Sequence, residues 1–345
     1  MKKPSAISTF LKSKAFPLII ILVVMTIITM VVSQGRFLST GNMLTVLYGI
    51  VIQVAFLCGI GTILISGNID LSVGGQAALS TMIFAWLCKS SSMPWGVAML
   101  ITFCAAVCFG LINTFLVNQL HFPSFIATIG MSSVYSGLCS VMNKGDNIQI
   151  ARASFTAIGK TNLFGWLPIS FVFVIIILII FQFVLSYTRF GRSVFMVGDN
   201  QQAARLCGLN PNRVRMVLFI LNSVLACLGG LLWSAQAKLA SPTAIVSSGA
   251  DMRVISAAIL GGIAFTGGTG NLISGFVAVL LLNVFNNMLI VINVPTYWTV
   301  FASGLVLAVA LTMDYFSNKR RQKALLEAAA AAEAAEMGEV YEAKN

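Results

Sequence analysis

The chain has 345 residues, of which 58% are hydrophobic and only 9% charged, with a formal net charge of +11. A soluble domain carries about a quarter charged residues, so this composition excludes an ordinary soluble enzyme or binding module and describes a polytopic membrane protein. Nor does the positive charge indicate a nucleic-acid partner, because the lysines and arginines cluster between apolar runs, where positive-inside bias accounts for them.

In chain order, Lys2, Lys3, Lys12 and Lys14 precede the apolar run Phe16 to Val32. The run is longer than a usual signal-peptide core and more spans follow, so it reads as a first transmembrane helix. Further spans are expected at Met43–Ser66, Leu71–Cys88, Pro94–Val117, Pro123–Met142, Leu167–Tyr187, Val214–Ala235, Met252–Phe265, Leu272–Ile292 and Thr296–Met313. The run after Asp251 is short, and is either a half-helix or extended by its flanks. Alternating sides from an inside N-terminus puts the N-terminal lysines, Arg189, Arg192, Arg205, Arg213 and Arg215, and the group Lys319 to Lys323 on one side. That asymmetry fits about ten spans with both termini cytoplasmic. The expectation is an all-α, polytopic integral membrane protein. Its cytoplasmic N-terminus covers 1–15, its transmembrane domain 16–316 and its cytoplasmic Ala/Glu-rich tail 317–345.

One loop, Thr188 to Pro211, interrupts the apolar pattern and spells a short helix. Asp199 or Asn200 can cap its start, Gln201 to Cys207 form its body, and Gly208 suits the left-handed residue that ends it. Asn210 and Pro211 then begin the next long helix. A capped helix held at the cytoplasmic surface has the shape needed to dock into a groove on a soluble partner. The loop therefore reads as a coupling element, although its arginines would also serve to fix topology against anionic lipid.

A second stretch runs from Ser66 to Gly75, with Asp70 as an N-cap for a helix from Leu71 or as a hinge beside the translocation path. Beyond it, Ser72, Gln76 and Ser80 recur every four residues and share a helix face, as do Ser124, Thr128, Ser132 and Ser136 after Pro123. Asn283 and Asn287 repeat that spacing, while Gln53 and Asn113 stand alone within their spans. Such stripes serve helix packing; the alternative is a mildly polar, uncharged pathway for a neutral hydroxylated solute. A third glycine-rich feature, Gly261-Gly262 followed by Thr266 to Asn271, reads as a tight cytoplasmic turn. The polar loop Asn143 to Gly165 either faces an extracytoplasmic partner or merely connects.

No catalytic constellation is visible. The seven cysteines form no CxxC and His121 is the only histidine, so the cysteines read as small core residues rather than metal ligands. Before the tail, Asp70, Asp146, Asp199, Asp251 and Asp314 are the only acids, all near span ends or in loops. That gives no mid-membrane relay for a proton-coupled carrier. No GxxxxGK[ST] occurs, so no P-loop holds nucleotide here.

Together the three stretches resemble one family, the ribose-type ABC sugar permeases of bacterial carbohydrate importers. The family's "GG-I-DLSVG" is matched by Gly67, Ile69, Asp70, Leu71, Ser72, Val73 and Gly74. Its central "T-FGR-----G-N--AAR--G" falls on Thr188, Phe190, Gly191, Arg192, Gly198, Asn200, Ala203, Ala204, Arg205 and Gly208. Its late "LGG----GG-G" falls on Leu260, Gly261, Gly262, Gly267, Gly268 and Gly270. The resemblance covers about Met43 to Asp314, in order. Asn68, Asp199 and Arg253 depart from it; the first two are similar to a subset resembling autoinducer-2 permeases, and Arg253 stands where many members carry an acid.

The resemblance implies an ABC importer permease fold in the bacterial inner membrane, paired with a second copy or paralogue. It further implies cytoplasmic ATP-binding-cassette ATPase subunits on the central loop and an extracytoplasmic solute-binding protein. ATP and Mg would be bound by the partner subunits, and none by this chain. The expected function is alternating-access import of a sugar or sugar-like solute, with no enzymatic activity of its own. Residues expected to couple to the ATPase are Phe190, Gly191, Arg192, Gly198, Asn200, Ala203, Ala204, Arg205, Leu206 and Gly208. Those expected along the path are Gln53, Asp70, Ser72, Gln76, Ser80, Asn113, Ser124, Thr128, Ser132, Asn283 and Asn287. The rivals are a secondary carrier or channel acting without an ATPase, and an intramembrane enzyme, for which no paired Ser/His, Asp/Asp or His/Glu arrangement exists.

Overall fold

A computed structural model describes residues 15–90 and 93–295, with a few further positions between 298 and 319. The basic N-terminus, most of the expected span Thr296–Met313 and the Ala/Glu-rich tail lie outside the described residues. Within them the chain forms thirteen α-helices and four two-residue strands. Long helices with mean hydropathy far above that of soluble helices follow from Leu/Ile/Val/Phe-rich runs, because in lipid a helix satisfies its own backbone. Six of them are long and apolar enough to cross a membrane. They are α2 (Thr40–Ile65), α4 (Trp95–Asn118), α5 (Ser124–Met142), α7 (Ile169–Tyr187), α10 (Pro211–Ala237) and α13 (Leu272–Val291).

The apolar α1 (Ala15–Val32) packs against α13. One expected span is shifted and another is shorter than the sequence suggests. The helix expected from Leu71 begins at Val73, as α3 (Val73–Ser90), because residues 66–72 run without helical structure. The run after Asp251 is a half-helix, α12 (Ala250–Leu260), of 11 residues. At 1.5 Å per residue it covers about 16 Å, roughly half the hydrocarbon core. It follows a four-residue helix, α11 (Ala244–Ser247).

α10 is the central column, packed against α2, α3 and α4 and, near its end, against the short amphipathic α6 (Ala153–Lys160). Backbones approach closely there: a Cβ at Gly230 would lie 2.7 Å from the Ala77 carbonyl oxygen of α3. Small residues at such crossings are how apolar helices associate without a hydrophobic driving force. α2, buried over Ile50–Ile65, lies beside it.

The connections sort onto two ends of the bundle. One end gathers segment 66–72, the turn after α4, the central loop and the turn 261–271. There Asn118 donates to the Asn212 carbonyl at 2.8 Å and Gln182 accepts from the Leu272 N–H at 2.9 Å. At the other end β1 (Ile148–Gln149) pairs antiparallel with β4 (Leu239–Ala240). Arg152 donates there to the Cys88 and Met93 carbonyls. Asn143 to Gly165 is thus more than a connector: it contains β1, α6 and β2 (Asn162–Leu163), which pairs with β3 (Leu167–Pro168), and Phe155 of α6 stacks on Phe84 at 4.4 Å.

The cysteines correct the sequence reading in part. Cys58, Cys139 and Cys227 are buried, whereas Cys104, Cys108 and Cys207 are exposed. Cys104 and Cys108 of α4 are apolar enough for a lipid-facing surface and need no core position, and Cys207 lies in the exposed central loop. Among the described residues no group of His, Cys, Asp or Glu could hold a metal ion.

Candidate functional site

The central loop contains more helix than the sequence suggests. Thr188 caps α8 (Arg189–Asp199), its hydroxyl accepting from the Gly191 N–H at 3.1 Å. Of the two caps considered for the next helix, Asn200 is the one used, accepting from Gln202 and Ala203 at 2.9 and 3.0 Å. α9 (Gln201–Leu206) ends at Gly208, whose φ is +81°. Asn210 then caps α10, with Pro211 in its first turn.

This loop, segment 66–72 and the late glycine turn are far apart in sequence and meet in one platform. The Gly268 N–H donates to the Ile65 carbonyl at 2.8 Å. A Cβ at Gly198 would overlap the Ile65 carbonyl oxygen, and one at Gly267 would lie 2.7 Å from the Gly67 Cα. Three backbones touch where only glycine leaves room. Of the expected coupling residues, Gly191 and Ala204 are buried, Gly198 is half-buried, and Phe190 packs against the bundle core. Arg192, Asn200, Ala203, Arg205 and Gly208 are exposed, and Leu206 is 91% exposed. Thus one face of the loop rides on the bundle and the other presents a cationic, apolar-tipped surface outward.

Above the platform, segment 66–72 climbs along α5. Non-helical backbone inside a membrane bundle must find partners in the protein. The Ile69 N–H donates to Ser124 Oγ and the Leu71 N–H to Thr128 Oγ1, both at 3.1 Å. Asp70, fully buried, is the hub. Its carboxylate accepts from the Ser72 N–H at 2.8 Å and from Ser72 Oγ at 2.5 Å. It also accepts from Asn222 at 2.8 Å and Asn113 at 3.4 Å. Gln76 and Asn113 donate to Ser72 Oγ, and Tyr135 donates to Asn113 Oδ1. A carboxylate inside a bundle is tolerated when neutral donors converge on it like this. Asp70 therefore sits in the interior, where the sequence placed it at a span end. Its nearest acidic neighbour is Asp251, beside Gly74 at the start of α12.

Of the expected path residues, this knot takes in Asp70, Ser72, Gln76, Asn113, Ser124 and Thr128. Ser80 is fully buried on α3, and the Ser132 carbonyl lies against Gly75. Gln53, Asn283 and Asn287 lie elsewhere, in a cavity of about 530 Å³ between α2, α10, α12 and α13. Its walls also carry Tyr48, Trp233, Gln236 and Arg253, which sequence reading did not assign to a path. The signal for them was faint: an aromatic or amide residue in an apolar run looks like packing until several converge. Asn287 is paired reciprocally with Asn42 at 2.9 and 3.0 Å, so it ties α13 to α2. Tyr48 donates to Asn162 Oδ1. By contrast, among the described residues the side chains of Gln53, Gln236 and Asn283 make no hydrogen bond to protein. Trp233 offers an aromatic face beside them. Amides, a guanidinium and an indole around one cavity suit a hydroxylated solute.

The model of the branched-chain amino acid transport system / permease component family matches residues 42–311. The chain is 31% identical over 313 residues to the probable ABC transporter permease protein YphD of Escherichia coli K12, covering 88% of this chain and 91% of that one. It is 30% identical over 264 residues to the autoinducer 2 import system permease protein LsrC of Photorhabdus luminescens, covering 76% and 78%. The LsrC of Yersinia enterocolitica matches equally, at 30% over 76% of this chain and 72% of its own. No solved structure matches.

Proposed function

The chain belongs to the family of branched-chain amino acid transport system permease components, and from that premise we infer how its two ends divide the work of import. It is a permease subunit of an ABC importer, like the relatives it matches, and a multi-pass membrane protein. A secondary carrier acting alone is not favoured by those relatives. Transport, not catalysis, is its role.

The single observation that carries the reading is the meeting of α8, α9, Gly67 and the turn at Gly267 in one backbone-to-backbone platform. On this reading the platform faces the cytoplasm, both termini lie on that side, and the exposed surface of α9 seats an ATPase subunit. Leu206 enters an apolar groove, with Arg192 and Arg205 making polar contacts around it. ATP and Mg are bound by that partner. ATP-driven closure then presses on Gly198 to Gly208, and close contact at Gly198 passes the displacement to Ile65 and segment 66–72. The opposite end, with β1, α6 and β4, receives solute from an extracytoplasmic binding protein. The cavity around Gln53 and Asn283 is the part of the path this chain supplies, a second permease copy or paralogue supplying the rest. Its solute is a sugar or sugar-like polyol, consistent with the autoinducer 2 named for some relatives.

A detergent pull-down of the tagged chain from its native membrane, with mass spectrometry and an ATPase assay, tests this. The expected result is a co-purifying nucleotide-binding chain that is lost on Leu206→Glu. A single chain without ATPase, active in proteoliposomes, overturns it.

A further inference from the structure

The cavity contains one charged side chain among the described residues that line it. Arg253 reaches it from the first turns of α12, with Nη2 donating to the Ser248 carbonyl at 2.7 Å. Its Nε is buried and has no hydrogen-bond partner. The guanidinium is thus an incompletely used donor in a partly desolvated place, where a charged N–H left unpaired is costly. The neighbouring acid, Asp251, attracts the guanidinium from a distance but makes no hydrogen bond to it. Asp251 lies two residues earlier, hence on another face of the helix, and does not line the cavity. Its carboxylate turns to Gly74 of α3, where a Cβ would meet Oδ2 at 3.2 Å. Around Arg253 the cavity offers Gln53, Gln236 and Asn283, all neutral and without protein partners, and the face of Trp233. Neutral amides suffice for hydroxyl groups. A fixed cation beside them is superfluous for a neutral polyol and suits a planar or tetrahedral oxyanion, which the guanidinium fork can grip at two oxygens.

We propose that Arg253 sets the charge class of the solute: the cavity accepts a polyol carrying one oxyanion group, carboxylate or phosphate, held by the Arg253 guanidinium, while the amides of Gln53, Gln236 and Asn283 take its hydroxyls. This rests on the permease reading and narrows its solute. It also gives the arginine at the start of α12 a role that helix packing does not require, since Arg253 faces the cavity and not the core.

The test uses the full chain with whatever chains co-purify, in nanodiscs at constant ionic strength. The thermal unfolding midpoint is followed against D-gluconate, D-glucose 6-phosphate and D-glucitol. Half-saturation by one of the acids is expected at a concentration ~10-fold lower than by glucitol, about one charge-assisted hydrogen bond. Whichever acid binds more tightly identifies the oxyanion. Arg253→Gln removes the preference of the acids over glucitol, and Arg253→Lys keeps part of it. Asn283→Asp, which adds a negative charge to the same cavity, weakens the acids again and keeps the proposal testable should Arg253→Gln fold poorly. Equal responses to all three probes in the native protein overturn the proposal. So does an acid preference that survives Arg253→Gln, or the absence of any response. Failure of the underlying reading shows separately, as the absence of an ATPase subunit in the preparation.

Discussion

The platform and the cavity are both polar places in an apolar chain, and they are built in opposite ways. At the platform and the knot above it, backbones touch through glycine and the buried carboxylate of Asp70 has four donors, with the oxygens Gln76 Oε1 and Asn222 Oδ1 buried around it without a partner. At the cavity, amides face empty space and a guanidinium nitrogen lacks a partner. A carboxylate gripped by four donors in a closed interior holds a geometry, whereas side chains turned to open space can take a partner that arrives. The same residue types, Asn and Gln, do both jobs, so composition alone does not separate a strut from a binding wall.

Substitutions that test this contrast rank from the close-packed end to the open one. Gly198→Val forces a side chain into the Ile65 carbonyl; we expect a loss of about 3 kcal/mol or more and no ATP-driven uptake. Its thermal unfolding midpoint in detergent would show this, and a native midpoint would break the account of the platform. Asp70→Ala strands the donors of Asn113, Asn222 and Ser72 and should cost roughly 2–3 kcal/mol, with Asp70→Asn costing less. Equal midpoints for the two would argue that the carboxylate is not the hub. Gly208→Val meets no neighbouring atom but holds φ at +81°, so about 1–2 kcal/mol of strain is confined to the end of α9. Uptake and ATPase binding should fail while the bundle melts near its native temperature. Asn283→Ala should shift stability by less than about 0.5 kcal/mol yet lower the apparent affinity for solute, as read by uptake. The smallest effect concerns Lys160, outside the spans, whose pKa is lowered by hydrogen bonding and repulsion from Lys238. As pH rises it loses its proton before an ordinary lysine, so its amine should acylate faster near pH 9. Lys238→Ala should slow that labelling, measured by peptide mass spectrometry.

Much of this was readable in advance because local chemistry dictates it. Asn200, Gly208, Asn210 and Pro211 mark helix ends through caps that depend on adjacent residues only, and they occupy those positions in the structure. α8 is hard to read from sequence because Arg189–Asp199 mixes apolar and charged residues on opposite faces and resembles loop beside the greasy spans. α3 starts two residues later than its local signals suggest, since nothing local says that Leu71 will give its N–H to Thr128, 57 residues away. The serine and threonine stripe of α5 illustrates the limit. Its four-residue spacing is visible, but its use, pairing a stretch of non-helical backbone, appears only when that backbone is laid against it. The cavity was the least legible feature, because Tyr48, Trp233, Gln236 and Arg253 come from three helices and carry no shared spacing.

The brevity of α12 has a consequence for biogenesis. Eleven residues with Asp251 and Arg253 near their start cannot partition into a bilayer unaided, since the span is about half the required length and each charge adds a cost of about 2.5 kcal/mol or more at depth. α12 must therefore enter the membrane as one arm of a hairpin whose other arm is the long, uncharged α13, after α2 is already there to receive it. The order of translation supplies that sequence of events. A chain truncated after Gly270 should leave α12 at the membrane surface, open to protease, whereas a chain extending through Val291 should protect it.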